Sequence, residues 1–419
     1  MFLKNIKTFV QNFTIEMKKL IILLVITGTC LPVFSQTLKI DGITTDSLAE
    51  IRAWYKRINL SGYTQVRYNG LFQTNPDLGC EQCDRSWGGP NGFFFRRIRL
   101  KFSGQVHPRV FFYIQPDFAS AAGGLNFAQI RDAYFDLGLD DKNEFRFRIG
   151  QSKVPFGFEN MQSSQNRLPL DRNDGLNSAV SNERDIGIFF YWAPEVVRKR
   201  YSMLIREGLK GSGDYGALGL GVYNGQLANQ PELSDNQHVV GRFTYPFKIG
   251  NQIFEPGVQA YTGYYTMQDR HVSPGVSHNG SLSYIDQRAA ISTVLYPKPF
   301  GIQAEYNIGR GPEFDKLNNA INVGNLHGGY ATLSYMLRIK DQLLYPFVRY
   351  QYYEGGKKHE RDARSYEVNE LELGIEWLPY PNFELVAMYT FSERRYEDFQ
   401  NRDNFQKGSL MRIQLQVNF

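Results

Sequence analysis

The chain has 419 residues, a formal net charge of +5 and an aromatic content of 15%. Such a small net charge does not indicate a nucleic-acid-binding protein. The mean hydropathy of −0.40 is typical of a soluble protein, but a membrane β-barrel gives a similar average because lipid-facing and lumen-facing residues alternate. A soluble chain of this length usually forms several domains, yet no Pro-, Ser- or Gly-rich linker divides this one.

The N-terminal region predicts export from the cytoplasm. Two lysines precede a short apolar run, and Ser35 ends the stretch in the manner of a secretory cleavage site. The run is shorter than the about 20 apolar residues that a spanning helix needs. We therefore predict a signal peptide over 1–35, in which 1–16 is an upstream extension if Met17 is the true start. A membrane anchor and a lipoprotein anchored at Cys30 are the alternatives.

Sixteen segments with alternating polar and apolar residues follow, with turn signals between them. Strand side chains alternate between two faces, so each segment has one polar and one apolar face. Most are long enough for a tilted strand, which crosses a bilayer in about 9–11 residues. The segments are residues 58–68, 93–106, 109–118, 127–139, 143–151, 184–193, 214–224, 237–246, 252–266, 283–295, 301–309, 328–338, 343–353, 367–378, 382–391 and 408–419.

The connections between these segments alternate in length. The short ones are 107–108, 140–142, 248–251, 297–300, 339–342 and 379–381, and the long ones are 69–92, 119–126, 152–183, 225–236, 267–282, 310–327, 354–366 and 392–407. Outer-membrane barrels have short periplasmic turns and long outer loops, a pattern that a soluble sandwich has no reason to keep. We therefore predict an all-β fold, a 16-stranded antiparallel transmembrane β-barrel over 58–419. Segment 194–213 departs from the alternation and is either a long turn or contains strand structure.

Basic residues occupy the polar faces of the early strands. In the second strand, Ile98, Leu100 and Phe102 share one face, and the basic residues share the other. A cation that faces lipid costs about 2–4 kcal/mol near the midplane, so the basic face must line the lumen. The basic residues with this phase are Arg67, Arg97, Arg99, Lys101, Arg146 and Arg148.

Acidic residues occupy the polar faces of the late strands. The inward-facing candidates there are Glu305, Glu370, Glu372, Glu376 and Glu384, together with Arg349 and Arg412. This distribution predicts a lumen in which basic early strands face acidic late strands. The alternative is a solvated wall of salt-paired side chains without ion selectivity.

The connection 152–183 is the longest, and long loops are usually functional or disordered. We predict that this third outer loop folds inward and narrows the passage. Lys153, Arg167 and Arg172 would then meet the basic wall at a constriction. Rings of Arg and Lys select anions and phosphate in pores, and the planar guanidinium suits phosphate.

The remaining motifs do not indicate an enzyme. No catalytic or nucleotide-binding fingerprint is present, and six histidines are scattered along the chain. His271 and His278 share a predicted loop, which is weak support for a metal, so we predict neither metal nor cofactor. Cys80 and Cys83 lack the second pair of a zinc site and the βαβ setting of a redox pair, and we predict a local disulfide or two inert thiols.

Residues 36–57 precede the first predicted strand. Thr45 or Asp46 could cap a short helix in this segment, and an apolar side follows. We predict that the segment lies on the periplasmic side of the barrel. It could plug the mouth, stack against a neighbouring subunit or act as a leader.

Four blocks of the sequence resemble the phosphate-selective porin O/P family of Gram-negative outer membranes. They read FFFRRIRLKFSGQVHPRVFFYIQPDF, AYFDLGL, FRFRIGQSKVPFG and ERDIGIFF, of which RIGQSKVPFG is the most specific part. The likeness covers roughly residues 58–225, and the strand count extends it to Phe419. It implies a usually trimeric, 16-stranded porin whose third outer loop folds inward. The anion-path candidates that it implies are Arg97, Arg99, Lys101, Arg148 and Lys153.

The resemblance implies passive diffusion of small anions, with phosphate as the candidate substrate, and no catalytic step. Its implied partners are the lipid bilayer, further copies of the chain in a homotrimer, and the outer-membrane assembly machinery, which reads a terminal residue such as Phe419. A general or weakly selective porin and a sugar or nutrient uptake barrel are the alternatives. An outer-membrane enzyme and a soluble periplasmic sugar-binding protein are alternatives of another class.

Overall fold

The computed structural model describes residues 57–80, 87, 91–120 and 126–419. The predicted signal peptide over 1–35 and all but the last residue of segment 36–57 lie outside the described residues.

Eighteen β segments form one sheet that closes on itself. They are β1 Ile58–Leu71, β2 Gly92–His107, β3 Val110–Ser120, β4 Phe127–Gly138, β5 Phe145–Lys153, β6 Arg184–Trp192, β7 Leu218–Tyr223, β8 His238–Thr244, β9 Phe247–Ile249, β10 Gln252–Thr266, β11 Ser283–Leu295, β12 Phe300–Asp315, β13 Ala320–Tyr335, β14 Leu337–Ile339, β15 Gln342–Gly356, β16 Ser365–Tyr380, β17 Phe383–Glu397 and β18 Phe405–Asn418. β8 and β9 share the partner β10, and β13 and β14 share β15, so the segments make a 16-stranded antiparallel barrel.

The barrel closes where its first and last strands pair. β1 pairs with β2 on one side and with β18 on the other. At this seam the Gly62 N–H donates to the Phe419 carbonyl at 2.7 Å, and the Phe419 N–H donates to the Gly62 carbonyl at 3.0 Å. Closure leaves no strand edge with unpaired backbone groups, as a sheet in lipid requires. The predicted 16-stranded barrel is confirmed.

The outer surface of the barrel is apolar, and the polar faces of the strands point inward. In β16 the alternation is complete: Leu371 is 40% and Leu373 44% exposed, whereas Glu370 and Glu372 are each 1% exposed. Large apolar side chains are exposed in the same way on strands around the barrel. Within the described residues, none of the helices combines the length and the apolar character that a membrane crossing requires.

Three predicted long connections are shorter in the structure because their flanking strands continue beyond the predicted ends. The β12–β13 hairpin turns at 316–319 rather than over 310–327. Similarly, 354–366 reduces to 357–364, and 392–407 reduces to 398–404. Where a hairpin extends beyond the apolar outer surface of the barrel, its residues no longer alternate between polar and apolar. The strand ends predicted from alternation therefore lie before the ends seen in the structure.

Segment 194–213 is neither a plain turn nor a strand, because it contains a helix. We label the helices α1 Phe158–Met161, α2 Asp174–Asn177 and α3 Glu195–Arg206, and the short 3₁₀ helices η1 Asp269–His271 and η2 Arg361–Ala363. α3 buries Val197, Tyr201 and Leu204, whose spacing puts them on one helical face. Its first residue is capped by Glu144, whose carboxylate accepts from the Glu195 N–H at 2.8 Å. α3 therefore begins against the β4–β5 turn.

Candidate functional site

The third outer loop, residues 154–183, lies inside the barrel. Phe156 and Leu176 of the loop are buried against an apolar wall that includes Phe189, Tyr191 and Tyr261. This apolar packing attaches the loop to the β6–β11 side of the lumen. The predicted inward folding of this loop is confirmed.

Hydrogen bonds and ion pairs hold the loop to the surrounding wall. The Phe158 and Glu159 N–H groups both donate to the Glu305 carboxylate at 2.7 Å. The ion pairs are Glu159 with Arg349 at 2.8 Å, Asp171 with Arg67 at 3.3 Å and with Arg412, and Asp174 with Arg394 at 2.7 Å and with Lys357. Although burial raises the pKa of the Asp171 carboxyl, Arg412 and Arg67 hold it well below its usual range.

A bend at the end of β5 directs the chain into the lumen. Gly150 has a φ of 121°, and a Cβ there would lie 2.4 Å from the Ala133 carbonyl, so only glycine fits. Beyond this bend Lys153, the last residue of β5, donates from Nζ to the Met161 carbonyl at 2.8 Å and to the Gln162 carbonyl at 2.6 Å. Lys153 therefore lies within the lumen, although alternation from Arg148 would place it outside.

The predicted basic face of β2 lines the lumen, and a β-bulge adds one more cation. Arg97 and Arg99 are 3% and 5% exposed. The register between β1 and β2 shifts between Arg97 and Phe95, so Arg96 is the extra residue of the bulge. Its guanidinium interacts electrostatically with Asp171 inside the lumen. Strict alternation assigned Arg96 to the lipid face and therefore missed it.

Five predicted path residues are paired with carboxylates of the early strands or of nearby connections. The pairs are Arg99 with Asp117 at 2.7 Å, Arg146 with Asp214 at 2.7 Å, Arg148 with Asp136 at 2.7 Å, Arg67 with Asp171 at 3.3 Å, and Arg172 with Glu183. Sequence reasoning placed the acidic residues on the late strands and did not consider Asp117, Asp132 or Asp136. Their inward phase on the third and fourth predicted strands was the signal that could have identified them.

Four other predicted path residues have no carboxylate within ion-pair distance in the part of the chain that the structure describes. We call them the uncompensated cations: Arg97, Lys101, Lys153 and Arg167. Arg97 donates to the Gln65 side-chain oxygen at 2.8 Å, and Lys101 donates to that of Gln165 at 2.7 Å. Arg167 is 4% exposed, and its Nε and Nη1 have no hydrogen-bond partner among the described residues.

Hydroxyl groups lie beside these cations. Tyr63 Oη is 2.6 Å from Ser164 Oγ, and Arg99 Nη1 donates to Tyr63 Oη at 2.9 Å. Lys101 Nζ lies 5.0 Å from the centroid of the Tyr63 ring. The group therefore combines positive charge with neutral hydrogen-bond donors, a combination that can replace part of the hydration shell of an anion.

Three of the five predicted late-strand glutamates are paired with cations, whereas Glu305 and Glu384 have no cation within ion-pair distance among the described residues. The pairs are Arg394 with Glu370 at 2.7 Å, Arg349 with Glu372, and Lys210 with Glu376. Arg412 Nη2 also lies 3.9 Å from Glu372. The simple expectation of a basic wall facing an acidic wall therefore needs correction, because both walls carry both signs and differ in pairing.

Sequence reasoning also overlooked two basic residues that surround the loop. Arg184 pairs with Asp132 at 2.9 Å and with Glu183, and Arg131 lies 3.5 Å from Glu183. Both belong to the polar network between β4, β6 and the loop. Arg184 is the second residue of the ERDIGIFF block.

The cysteine and C-terminal features are only partly visible. Cys80 forms a disulfide bond, whereas Cys83, its predicted partner, lies outside the described residues. Phe419 is 59% exposed on the outer surface at the barrel seam. Among the described residues, no group of three or more His, Cys, Asp or Glu side chains could hold a metal ion.

A closed 16-stranded barrel with an apolar outer surface and an inward-folded third loop defines an outer-membrane porin. The sequence agrees: it matches the family described as phosphate-selective porin O and P over residues 77–419. The chain therefore belongs to this family and is an outer-membrane β-barrel protein. Family and barrel together indicate a channel rather than an enzyme.

Solved structures show the same fold at low sequence identity. The outer membrane channel DcaP of Acinetobacter baumannii aligns with a TM-score of 0.52 and 12% identity, covering 86% of this chain and 97% of that chain. OmpF of Salmonella typhi, in complex with daunomycin, aligns with a TM-score of 0.53 at the same identity and coverage. No curated protein matches the chain.

Proposed function

We propose that this porin passes small anions, phosphate among them, by passive diffusion along the β1–β6 side of its lumen. The observation that carries the proposal is the group of uncompensated cations. Arg97, Lys153 and Arg167 are at most 4% exposed and have no carboxylate partner among the described residues. A buried cation without a direct ion pair is costly, so a passing anion gains from making the contact that no carboxylate makes.

The mechanism is electrostatic and involves no catalytic step. An anion entering between the loop and β2 meets Arg167 and Arg97, which offer N–H groups in a planar fork suited to oxyanions. Lys101 and the Tyr63 hydroxyl lie next to them on the wall. The neighbouring Arg99 is already bound to Asp117, which keeps the total positive charge moderate. Conduction requires such moderation, because an anion that binds too tightly does not leave.

Reversal potentials in planar bilayers test this proposal. The purified porin is measured in a KCl gradient beside the triple variant R97Q/K101Q/R167Q. We expect anion preference in the wild type and a permeability ratio that falls toward one in the variant. Each charge should contribute about fivefold or more, because unit charges 4 Å apart interact by about 1 kcal/mol in water and more strongly in a buried site.

A matched control separates the lumen charge from total charge. Arg395 and Lys407 are 49% and 70% exposed and each has a glutamate partner. The variant R395Q/K407Q should keep the anion preference of the wild type. A wild type without anion preference, or a triple variant with unchanged preference, would contradict the proposal and favour a general porin.

Phosphate is tested in the same bilayers. We expect millimolar phosphate to reduce the chloride current in the wild type and to lose this effect in the triple variant. Anion preference without inhibition by phosphate would retain the anion channel and reject phosphate as its substrate.

We also propose that the porin is a homotrimer and that the outer-membrane assembly machinery reads Phe419. An apolar groove on the outer surface has a volume of about 720 Å³ and is lined by residues such as Leu220, Phe243 and Val258. This groove supports contact with a second copy of the chain. The mass of the detergent-solubilised complex tests the trimer, and a monomeric mass would contradict it.

Removal of Phe419 should reduce the amount of folded barrel in the outer membrane.

A further inference from the structure

Helix α3 fills one side of the barrel mouth at the end with the short turns. Its buried face packs with Ile253, Val294 and Tyr296, which belong to β10, β11 and the turn that follows. This end is the periplasmic side in outer-membrane barrels. Passage through the mouth on the β10–β11 side is therefore obstructed by the helix.

The chain after α3 crosses toward the opposite wall. Tyr345 Oη of β15 donates to the Gly208 carbonyl at 3.1 Å, and Lys210 pairs with Glu376 of β16. The Lys210 carbonyl also accepts from Gln162 of the third loop at 2.6 Å. Helix and crossing segment therefore fill much of the mouth between β10 and β16, and both also reach the β4–β5 side, where Arg198 and Asp214 lie.

A cavity of about 380 Å³ lies on the β4–β5 side. We call it the inner vestibule, and it is lined by Gln105, Arg109, Phe111, Asp136, Gly138, Asn143, Arg146, Arg148, Arg198, Ser202 and Asp214. Basic side chains outnumber acidic ones in this lining. Its size is within the range of cavities that bind small ligands, about 300–1,000 Å³.

The vestibule lining has more cations than carboxylates, so the carboxylates are shared between cations. Asp214 pairs with Arg146 at 2.7 Å and Arg198 at 2.8 Å, and Asp136 pairs with Arg148 at 2.7 Å and Arg146 at 3.8 Å. Arg146 is 3% exposed, and its Nη1 has no hydrogen-bond partner within the described residues. The cavity therefore contains a buried guanidinium N–H group that an anion could satisfy.

The vestibule continues the basic wall of the lumen. On β4, Asp132 lies in the network around the loop and Asp136 in the vestibule, four residues or about 13 Å apart at the rise of a strand. Between them Tyr134 places its ring 3.9 Å from the Arg148 guanidinium, and the Tyr191 and Tyr215 rings lie 5.3 and 5.2 Å from it. Aromatic rings thus separate two basic regions along one wall.

We propose that the inner vestibule is a second anion-binding station for small oxyanions, and that Arg198 determines selectivity there from a helix rather than from the barrel. This inference rests on the proposed anion conduction. Arg198 Nη1 also donates to the Lys142 and Asn143 carbonyls at 2.9 and 2.8 Å. These bonds fix the guanidinium in the lining of the cavity, where a small anion can contact it.

Two substitutions that change the charge of the vestibule in opposite directions test this proposal, so that the test does not depend on a single variant. R198Q removes positive charge and should lower the anion permeability ratio by about fivefold, as estimated for one unit charge in water. D214N removes negative charge from the same cavity and should raise the ratio. R198K keeps the charge and should restore most of the wild-type ratio, although it loses the fork geometry.

The outcomes separate this proposal from the proposed function. If R198Q and D214N shift the reversal potential in opposite directions and R198K resembles the wild type, the vestibule is an anion station. If both leave the potential unchanged while R97Q/K101Q/R167Q alters it, the vestibule proposal fails and anion conduction stands. If R198K and R198Q reduce the ratio equally, Arg198 only docks the helix, and the selectivity role is rejected.

Discussion

The two charged walls of the lumen differ in pairing rather than in composition. On the late wall, Arg349 and Arg394 are each bound to a glutamate of β16 and to an acidic residue of the third loop. On the early wall, Arg97 and Lys101 are bound only to glutamine side chains. The local field therefore depends on which cations lack a counter-charge, and a count of basic and acidic residues does not reveal it.

This difference in pairing indicates that the two walls have different roles. A cation bound to two carboxylates fixes the loop, since losing it would leave buried negative charges without a partner. A cation bound to a neutral amide can be removed without leaving a charged group unpaired. We therefore assign anchoring mainly to the late wall and anion attraction to the early wall, and the following changes test that division.

The largest effect is expected when the acidic anchors of the loop are neutralised. In D171N/D174N, Arg67, Arg412, Lys357 and Arg394 lose carboxylate partners. Breaking a buried pair in this way costs about 3–5 kcal/mol, so the loop should leave its position and the pore should widen. Liposome swelling with an uncharged sugar measures the widening independently of charge, and we expect faster swelling.

The control for this double variant is D403N. Asp403 is 80% exposed and pairs with Lys316 outside the lumen, so its neutralisation should not alter swelling. Equal swelling of D171N/D174N and the wild type would show that apolar packing alone holds the loop, and the division between the walls would lose its basis.

The next prediction compares one arginine from each wall, in order to separate anchoring of the loop from attraction of anions. R349Q leaves Glu159 without its ion pair and Glu372 with only the longer contact to Arg412, and we expect the free energy of unfolding to fall by about 3–5 kcal/mol. R97Q leaves only the Gln65 amide, so unfolding should change little while anion preference falls. Thermal unfolding in detergent and the reversal potential are measured for both variants, and a reversed pattern would contradict the comparison.

Much of the barrel could be predicted from the sequence because a strand in lipid has only one acceptable orientation. The alternation in β16 and β18 assigned Glu370, Glu372 and Arg412 to the lumen, and the structure agrees. Helix α3 could not be predicted in this way, because strand alternation and turn length carry no information about a helical insertion. Its own signal was the apolar spacing of Val197, Tyr201 and Leu204.

The pairing inside the lumen could not be predicted from single strands. Alternation shows that Arg99 faces inward, but Asp117 reaches it only through the register of β2 with β3. Arg96 escaped because a bulge changes the phase within one strand. The partners of the third loop depend on tertiary folding, so the distinction between compensated and uncompensated cations became visible only in the structure.

The smallest expected effect is that of mild acid. Burial raises the pKa of the Asp174 carboxyl, but Arg394 and Lys357 outweigh this effect and lower it to about 2. A carboxyl whose pKa is depressed in the folded state stabilises the fold above its unfolded value and loses this contribution as pH falls through the folded value. The contribution of the Asp174 anchor should therefore be complete at pH 7 and at pH 5, and should weaken only as pH approaches 2.

His359, which lies in the connection between β15 and β16, does not alter this expectation. Burial and the neighbouring Lys358 hold the pKa of His359 well below its usual range, which opposes protonation of the ring as the pH falls. Sugar uptake by liposomes should be constant between pH 7 and pH 5 and should rise below about pH 3 because the acidic anchors become protonated. In D171N/D174N the acid-dependent rise should be absent, since the titrating anchors are gone. A rise already at pH 5 in the wild type would mean that the loop is held by groups other than these two carboxylates.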